Sequence, residues 1–249
     1  VSVTYAELRK RVRDFAAGLA RQGIRRGDRV GLLSENGLEA NVALLGISYL
    51  GAIVVPLFSG FGVDAIVARL GSCEARTLIA STGFSRRGQF VDARAIVETA
   101  RQQLPSLEFI IWKHSPEGPD LQPGDISYAD IASANGDGLA SARMSPDDPF
   151  MVIYTSGTTG KPKGPVHTHG GFPLKMAHDS QLHFDVRMGD VFCWPADMGW
   201  VAGPLVSTSA LLNGATLVCY DGAPDFPDWT RMGRLIEKYK VTIYGASPT

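Results

Sequence analysis

Residues Phe150 to Gly164 read FMVIYTSGTTGKPKG, an apolar run that passes directly into small, hydroxyl-bearing and cationic residues. Phe150 to Tyr154 predicts a short strand, and the segment behind it predicts a loop that holds a polyphosphate. A triphosphate presents many anionic oxygens, which only close backbone N–H groups, hydroxyls and ammonium groups can satisfy together. Gly157 and Gly160 remove Cβ atoms and let the backbone approach, while Thr155, Ser156, Thr158 and Thr159 add O–H donors. Lys161 and Lys163 supply charge, with Pro162 stiffening the exit between them. A Ser/Gly-rich surface connector has a similar composition, but a strand leading in and two lysines closing the loop argue against one. A P-loop NTPase is disfavoured as well. Its loop has four residues between the glycines and Ser or Thr after the lysine, whereas here two residues separate Gly157 from Gly160 and Pro162 follows Lys161.

Outward from this loop, strand and helix patterns alternate. Thr4 to Glu7 fits a capping box, and Leu8, Val12, Phe15 and Leu19 then fall on one helical face until Gly23. Strands are expected at Arg29 to Leu33, Ala52 to Leu57, Thr77 to Ala80, Phe109 to Trp112, Val191 to Trp194, Thr216 to Tyr220 and Val241 to Tyr244. Helices are expected at Leu38 to Tyr49, Phe90 to Leu104, Trp200 to Leu212 and Trp229 to Tyr239. The alternation predicts an α/β fold with largely parallel sheets layered with helices. One irregular stretch, 113–149, is rich in Pro, Gly, Asp and Ser and marks the expected internal boundary, with Ile126, Tyr128 and Ile131 able to pack as a short element inside it.

A hydrophobic content of 45% with 20% charged residues over 249 residues is enough to build a core. The formal net charge of −1 supplies no basic field for nucleic acid or an anionic membrane, so any phosphate affinity must be local. Cys73, Cys193 and Cys219 are widely spaced and odd in number, which argues against a disulfide framework and for a reducing, cytoplasmic setting. No segment approaches the roughly 18 uninterrupted apolar residues of a membrane helix.

The run YTSGTTGKPKG resembles the phosphate loop of the acyl-adenylate-forming enzymes: acyl-CoA synthetases, peptide-synthetase adenylation domains and beetle luciferases. VHTHGG (Val166 to Gly171), GDVFCWPADMGWVAGP (Gly189 to Pro204) and NGATLVCYDGAPDFP (Asn213 to Pro227) narrow the resemblance to the acetyl-CoA synthetase branch. It extends more weakly from Thr4 to Thr249. The resemblance implies the αβαβα-type N-terminal AMP-binding domain of these enzymes, incomplete over 1–249, with the C-terminal domain absent. The family's Thr-Glu motif, ribose-binding aspartate, hinge and late catalytic lysine have no counterpart here, and the strand pattern runs into Pro248-Thr249 without a covering helix. The chain is therefore expected to be an N-terminal portion, inactive by itself.

The implied activity is that of an ATP-dependent, AMP-forming carboxylate–CoA ligase for acetate or another short-chain acid, with ATP, Mg2+ accompanying ATP, and coenzyme A as the small-molecule partners. The nucleotide would be bound by Thr155, Ser156, Gly157, Thr158, Thr159, Gly160, Lys161 and Lys163. Thr158 or Thr159 would offer a hydroxyl to the magnesium ion, without the carboxylate expected beside it. Trp200, Val201 and Ala202 match the stretch that lines the acyl pocket, although an ordinary buried helix start fits the same residues. The related branch carries threonine where Ala202 stands and histidine where Pro204 stands, which leaves the acid open. Arg86 falls where that branch contacts the CoA 3′-phosphate, but Gln89 replaces the second arginine, and a solvated basic loop is an equal reading. His167 and His169 are read as packing residues rather than metal ligands, and Asp197 as the cap of a helix starting at Met198 or Gly199. Asp125, Asp130, Asp147 and Asp148 are read as turn and cap residues. A function of another class stays open: a nucleotide-binding or interaction module without ligase chemistry.

Overall fold

A computed structural model describes residues 1–155 and 162–246. The opening helix α1 (Tyr5–Arg21) starts as its capping box predicts: the Glu7 N–H donates to Thr4 Oγ1, and the Glu7 carboxylate accepts from the Thr4 N–H. Then come β1 (Arg29–Leu33), α2 (Leu38–Tyr49), β2 (Ile53–Pro56), α3 (Val63–Ser72) and β3 (Thr77–Ser81). A small hairpin, β4 (Phe84–Arg86) and β5 (Gln89–Val91), precedes α4 (Ala93–Arg101), β6 (Phe109–Lys113), β7 (Ile126–Ser127) and α5 (Tyr128–Ala132). Strands β8 (Pro149–Val152) and β9 (Val166–Thr168) complete the first sheet.

Among the described residues that sheet runs β7-β6-β3-β1-β2-β8-β9, parallel throughout except for the antiparallel β8–β9 pair. Its β-branched and leucine-rich strands are buried on both faces, as a helix-covered parallel sheet requires. On one face Phe15 and Leu19 of α1, Leu44 and Ile47 of α2, and Tyr128 and Ile131 of α5 pack onto Leu32, Val54, Ile79 and Ile111. On the other, Ile66 and Leu70 of α3 and Val97 and Ala100 of α4 pack onto Leu33, Val55, Leu78 and Ile110. The stretch 113–149 lies within this arrangement: β6 before it and β8 after it share the sheet, and Tyr128 and Ile131 share its core.

Beyond β9 follow α6 (Phe172–His183), β10 (Val191–Cys193), α7 (Ala202–Leu212), β11 (Thr216–Val218), α8 (Arg231–Tyr239) and β12 (Ile243–Tyr244). The strands form a second, parallel sheet, β11-β10-β12, with a core of Val186, Phe192, Val206, Ala210 and Ala215. Tyr5 ties the two parts together: its hydroxyl donates to the Ala215 carbonyl at 2.7 Å, just beyond the end of α7. Gly199 adds a backbone contact, since a Cβ there would lie 2.0 Å from the Phe58 nitrogen.

Several boundaries differ from expectation. The helix expected over Phe90 to Leu104 begins at Ala93, because Phe90 pairs in the hairpin and the Asp92 carboxylate caps the Ala95 N–H. Helix α7 begins at Ala202 rather than Trp200, and α8 at Arg231 rather than Trp229. Helices α3 and α6 were not expected. Helix α3 does carry an apolar stripe, buried Ile66 and Leu70 with half-buried Val63 and Val67 at helical spacing, but over only ten residues; α6 buries only Phe172 and Ser180 and presents no such stripe.

Candidate functional site

The two described stems of the β8–β9 connection, 153–155 and 162–165, lie at the carboxyl end of β8, the end of the strands where open α/β sheets bind ligands. Its stems are fixed. The Thr155 N–H donates to the Lys163 carbonyl at 2.8 Å and the Lys163 N–H donates back to Thr155 at 3.2 Å. Below that bridge Tyr154 is buried, with its ring beneath Gly164, where an added Cβ would come within 2.8 Å of it. The remaining expected loop residues, Ser156, Gly157, Thr158, Thr159, Gly160 and Lys161, lie outside the described residues; Thr155 and Lys163 are exposed at the stems.

The structure brings Arg86 and the Trp200 segment to one rim. Ser59, just past the carboxyl end of β2, accepts from the Arg86 guanidinium at 3.0 Å and donates its hydroxyl to the Asp197 carboxylate at 2.5 Å. Asp197 also accepts the Gly199 N–H at 2.8 Å. The adjacent Phe58 ring packs against Trp200, centroids 5.5 Å apart. Trp200 is 51% exposed and Val201 45%, so neither is a core residue; Met198 carries the large buried side chain of this segment. Ala202, half-buried, opens α7. The helix expected to start at Met198 or Gly199 is instead a turn, and Asp197 holds that turn while reaching across to Ser59. Burial pushes the Asp197 carboxyl above its ordinary value, outweighing the hydrogen bonds that favour the ionised form.

Arg86 is not a free basic group. Its guanidinium donates to Asp221 at 2.8 Å as well as to Ser59, and lies over the Phe84 ring. Asp221 is likewise pushed up by burial, with Arg86 opposing and the nearby Glu35 and Asp197 charges adding to the rise. At the same rim the ammonium of Lys113 pairs with Glu35, which accepts from Ser81; burial raises the Glu35 carboxyl, but Lys113 and Ser81 together leave it below its ordinary value. Sequence reasoning missed Phe58, Ser59 and Asp221. Phe58 and Ser59 follow a strand end, and a strand's carboxyl terminus is the one local signal available.

His167 and His169 stand on either side of an aromatic pair, His167 edge-on to Phe172 and His169 edge-on to Phe150. Burial lowers both imidazoles. Among the described residues no group of three or more His, Cys, Asp or Glu is arranged to hold a metal ion. Asp125 exceeds the turn role expected of it: besides accepting the Gln122 N–H, it makes a two-pronged pair with buried Arg94 at 2.6 and 3.0 Å. Burial pushes the free thiols of Cys193 and Cys219 up to about 11, away from thiolate chemistry. No helix among the described residues is long and apolar enough to cross a membrane.

Comparison with known proteins agrees with this arrangement. The family model described as "AMP-binding enzyme" matches residues 1–249. The acetyl-coenzyme A synthetase of Novosphingobium aromaticivorans is 36% identical over 99% of this chain and 38% of its own length. That of Methanothrix thermoacetophila is 35% identical over 100% of the chain, again 38% of its own length. The solved acetoacetyl-CoA synthetase from Streptomyces lividans superposes with a TM-score of 0.93 at 32% identity, over 99% of this chain and 38% of that one. The chain thus spans well under half the length of the relatives it matches. A two-sheet α/β architecture, with the family model matched from the first residue to the last, places this chain in the AMP-binding enzyme family.

Proposed function

We propose that this chain forms the phosphate-binding and acyl-facing part of an ATP-dependent, AMP-forming carboxylate–CoA ligase acting on acetate or another short-chain acid. The observation that carries the reading is the fixed β8–β9 stem. It holds Thr155 and Lys163, the two ends of the candidate loop Ser156, Gly157, Thr158, Thr159, Gly160 and Lys161, together just past the carboxyl end of β8. Acetyl-CoA and acetoacetyl-CoA synthetases among its relatives support the same reaction class.

A carboxylate is a poor acyl donor, because its charge repels nucleophiles and its leaving group would be oxide. Attack of a carboxylate oxygen on the α-phosphorus of ATP forms the acyl–phosphate bond and releases pyrophosphate. The CoA thiolate then attacks the acyl carbon and AMP departs, leaving the thioester. Charge grows on the pyrophosphate oxygens in the first step, so donors in the loop and the ammonium groups of Lys161 and Lys163 stabilise it as it develops. Trp200, Val201 and Ala202 face the acid in this reading, Trp200 and Val201 through surface that is open to solvent. Arg86 is the candidate contact for a phosphate of CoA. Magnesium would travel with ATP, and the loop hydroxyls of Thr158 and Thr159 suit its preference for oxygen ligands.

The test is Lys161→Ala in the whole protein, with each half-reaction measured separately. One lost charge-assisted contact is worth about 1.5–3 kcal/mol, roughly ten- to a hundredfold in rate when realised in the transition state. Acid-dependent exchange of pyrophosphate into ATP is expected to fall by that factor, while CoA capture of supplied acyl-AMP changes little. Equal losses in both half-reactions would overturn the assignment of the loop.

A further inference from the structure

The β4–β5 hairpin belongs to neither of the larger sheets; among the described residues its strands pair only with each other, through Phe84↔Val91, Ser85↔Phe90 and Arg86↔Gln89. Its turn is Arg87-Gly88, with φ of +51° and +76°, the left-handed pair that a two-residue type I′ hairpin needs. The tip reaches the segment that follows β11. Arg86 pairs with Asp221 at 2.8 Å and Arg87 with Asp225 at 2.8 Å. Next to these ion pairs in the chain the Phe226 ring lies on Gly88, where a Cβ would come within 2.9 Å of it. Three consecutive hairpin residues are therefore held by three residues of one short segment, and the crossing spans the rim where Ser59 and Asp197 are hydrogen-bonded.

An isolated two-stranded hairpin is marginal in water, so docking of this tip depends on what it touches. Asp221 and Asp225 also occupy both guanidiniums. A phosphate, whose oxygens suit the same donor fork, competes directly with these carboxylates. We propose that the β4–β5 hairpin is a strap latched shut by the Arg86–Asp221 and Arg87–Asp225 ion pairs, and that a phosphomonoester must displace these aspartates to engage the arginines. The latch stands on geometry alone; the competition rests on the assignment of Arg86 to a phosphate of CoA.

Hydrogen exchange of the amides of residues 84–91 tests the latch. In Asp221→Asn/Asp225→Asn exchange is expected to quicken about tenfold, with the melting temperature measured on the same sample to separate strap opening from global unfolding. Arg87→Glu is expected to loosen the strap, and Arg87→Glu/Asp225→Arg to restore protection by reversing the charges. Exchange within twofold of wild type in the double Asn variant, or no restoration by the swapped pair, overturns the latch. Titration with adenosine 3′,5′-bisphosphate, and with adenosine, which lacks a phosphomonoester, as control, tests the competition. The double Asn variant is expected to bind the bisphosphate about tenfold more tightly than wild type and adenosine equally well. Faster exchange without tighter bisphosphate binding overturns the competition; absence of bisphosphate binding in both proteins, with the strap still responding, instead removes Arg86 from the CoA reading.

Discussion

The phenol oxygen of Tyr154 lies 2.5 Å from the Ser72 hydroxyl, so the residue leading into the proposed phosphate loop is tied to the last residue of α3. The same side chain passes under Gly164 on the far stem of the loop. One buried tyrosine thus sets the height of both stems, and the Thr155–Lys163 bridge sets their spacing. Tyr154→Phe keeps the ring and removes the tether, at a cost of about 0.5–1.5 kcal/mol. The expected result is a three- to tenfold rise in KM for ATP with the KM for the acid unchanged. Ser72→Ala should give the same effect, and the double variant no more than either alone, since both remove one bond. Additive losses would show that the two hydroxyls act separately.

Arg94 and Asp125 provide a test of the fold at a distance from the loop. Their side chains are only 8% and 14% exposed, and the guanidinium also lies 4.8 Å from the Trp112 ring centroid. Hydrogen bonding to Arg94 is the largest influence on Asp125 and holds its carboxyl below the ordinary value. Asp125→Ala leaves the buried cation with the Glu98 carboxylate 3.7 Å away and the weaker charge of Asp92. Breaking such a pair costs about 3–5 kcal/mol, and the Glu98 contact argues for the lower end. Thermal melting should fall by about 6–12 °C, given 2–4 °C per kcal/mol for a chain of this size. A change under 2 °C would mean that the pair is solvated.

The histidines set an acid limit. Burial lowers His167 and His169 from 6.5, so as pH falls through the window below that value the unfolded chain takes up protons that the folded chain refuses. Stability is fully present above pH 6.5 and is lost as pH falls through the folded values. Asp197 and Asp221, raised above 3.8, act oppositely: stability falls as pH rises from 3.8 through their folded values. A difference measurement separates the two effects. His167→Gln/His169→Gln should show a smaller drop in melting temperature between pH 7 and pH 5.5 than wild type, and equal drops would remove the histidines as its source.

The sequence pattern located the parallel strands because β-branched runs buried on both faces leave a continuous apolar signature; β1 and α2 begin and end where the periodicity puts them. It is weakest at α6, which buries only Phe172 and Ser180, whereas α3 carries a helical stripe of Val63, Ile66, Val67 and Leu70 over only ten residues. The candidate phosphate loop stands out in the sequence because its chemistry is local, with glycines, hydroxyls and lysines adjacent in the chain. The rim does not. Ser59, Asp197 and Asp221 are separated by more than a hundred residues of chain between the first and the other two, and only tertiary folding gives them a common partner in Arg86 or one another. Asp197 read locally as a helix cap because its reach across to Ser59 has no counterpart in sequence spacing.

Trp200 decides which of two roles its segment plays, and its exposure sharpens the test. A fully buried aromatic cut to alanine costs about 3–5 kcal/mol, but Trp200 is 51% exposed and, among the described residues, stacks on no aromatic ring but Phe58, so about 1–2 kcal/mol is expected. Trp200→Ala should therefore stay folded, with melting lowered by no more than about 2–8 °C. If the indole closes the acyl site, its removal admits longer acids, and the ratios of kcat/KM for acetate, propionate and butyrate should shift by about 1–3 kcal/mol per methylene, tenfold or more in favour of the longer chain. Met198→Ala is the control within the same segment: Met198 is fully buried, so its loss should lower stability more than Trp200→Ala while leaving the ratios nearly unchanged. Unchanged ratios in Trp200→Ala, with the protein folded, would remove Trp200 from the acyl site and leave the selection of acid to residues elsewhere.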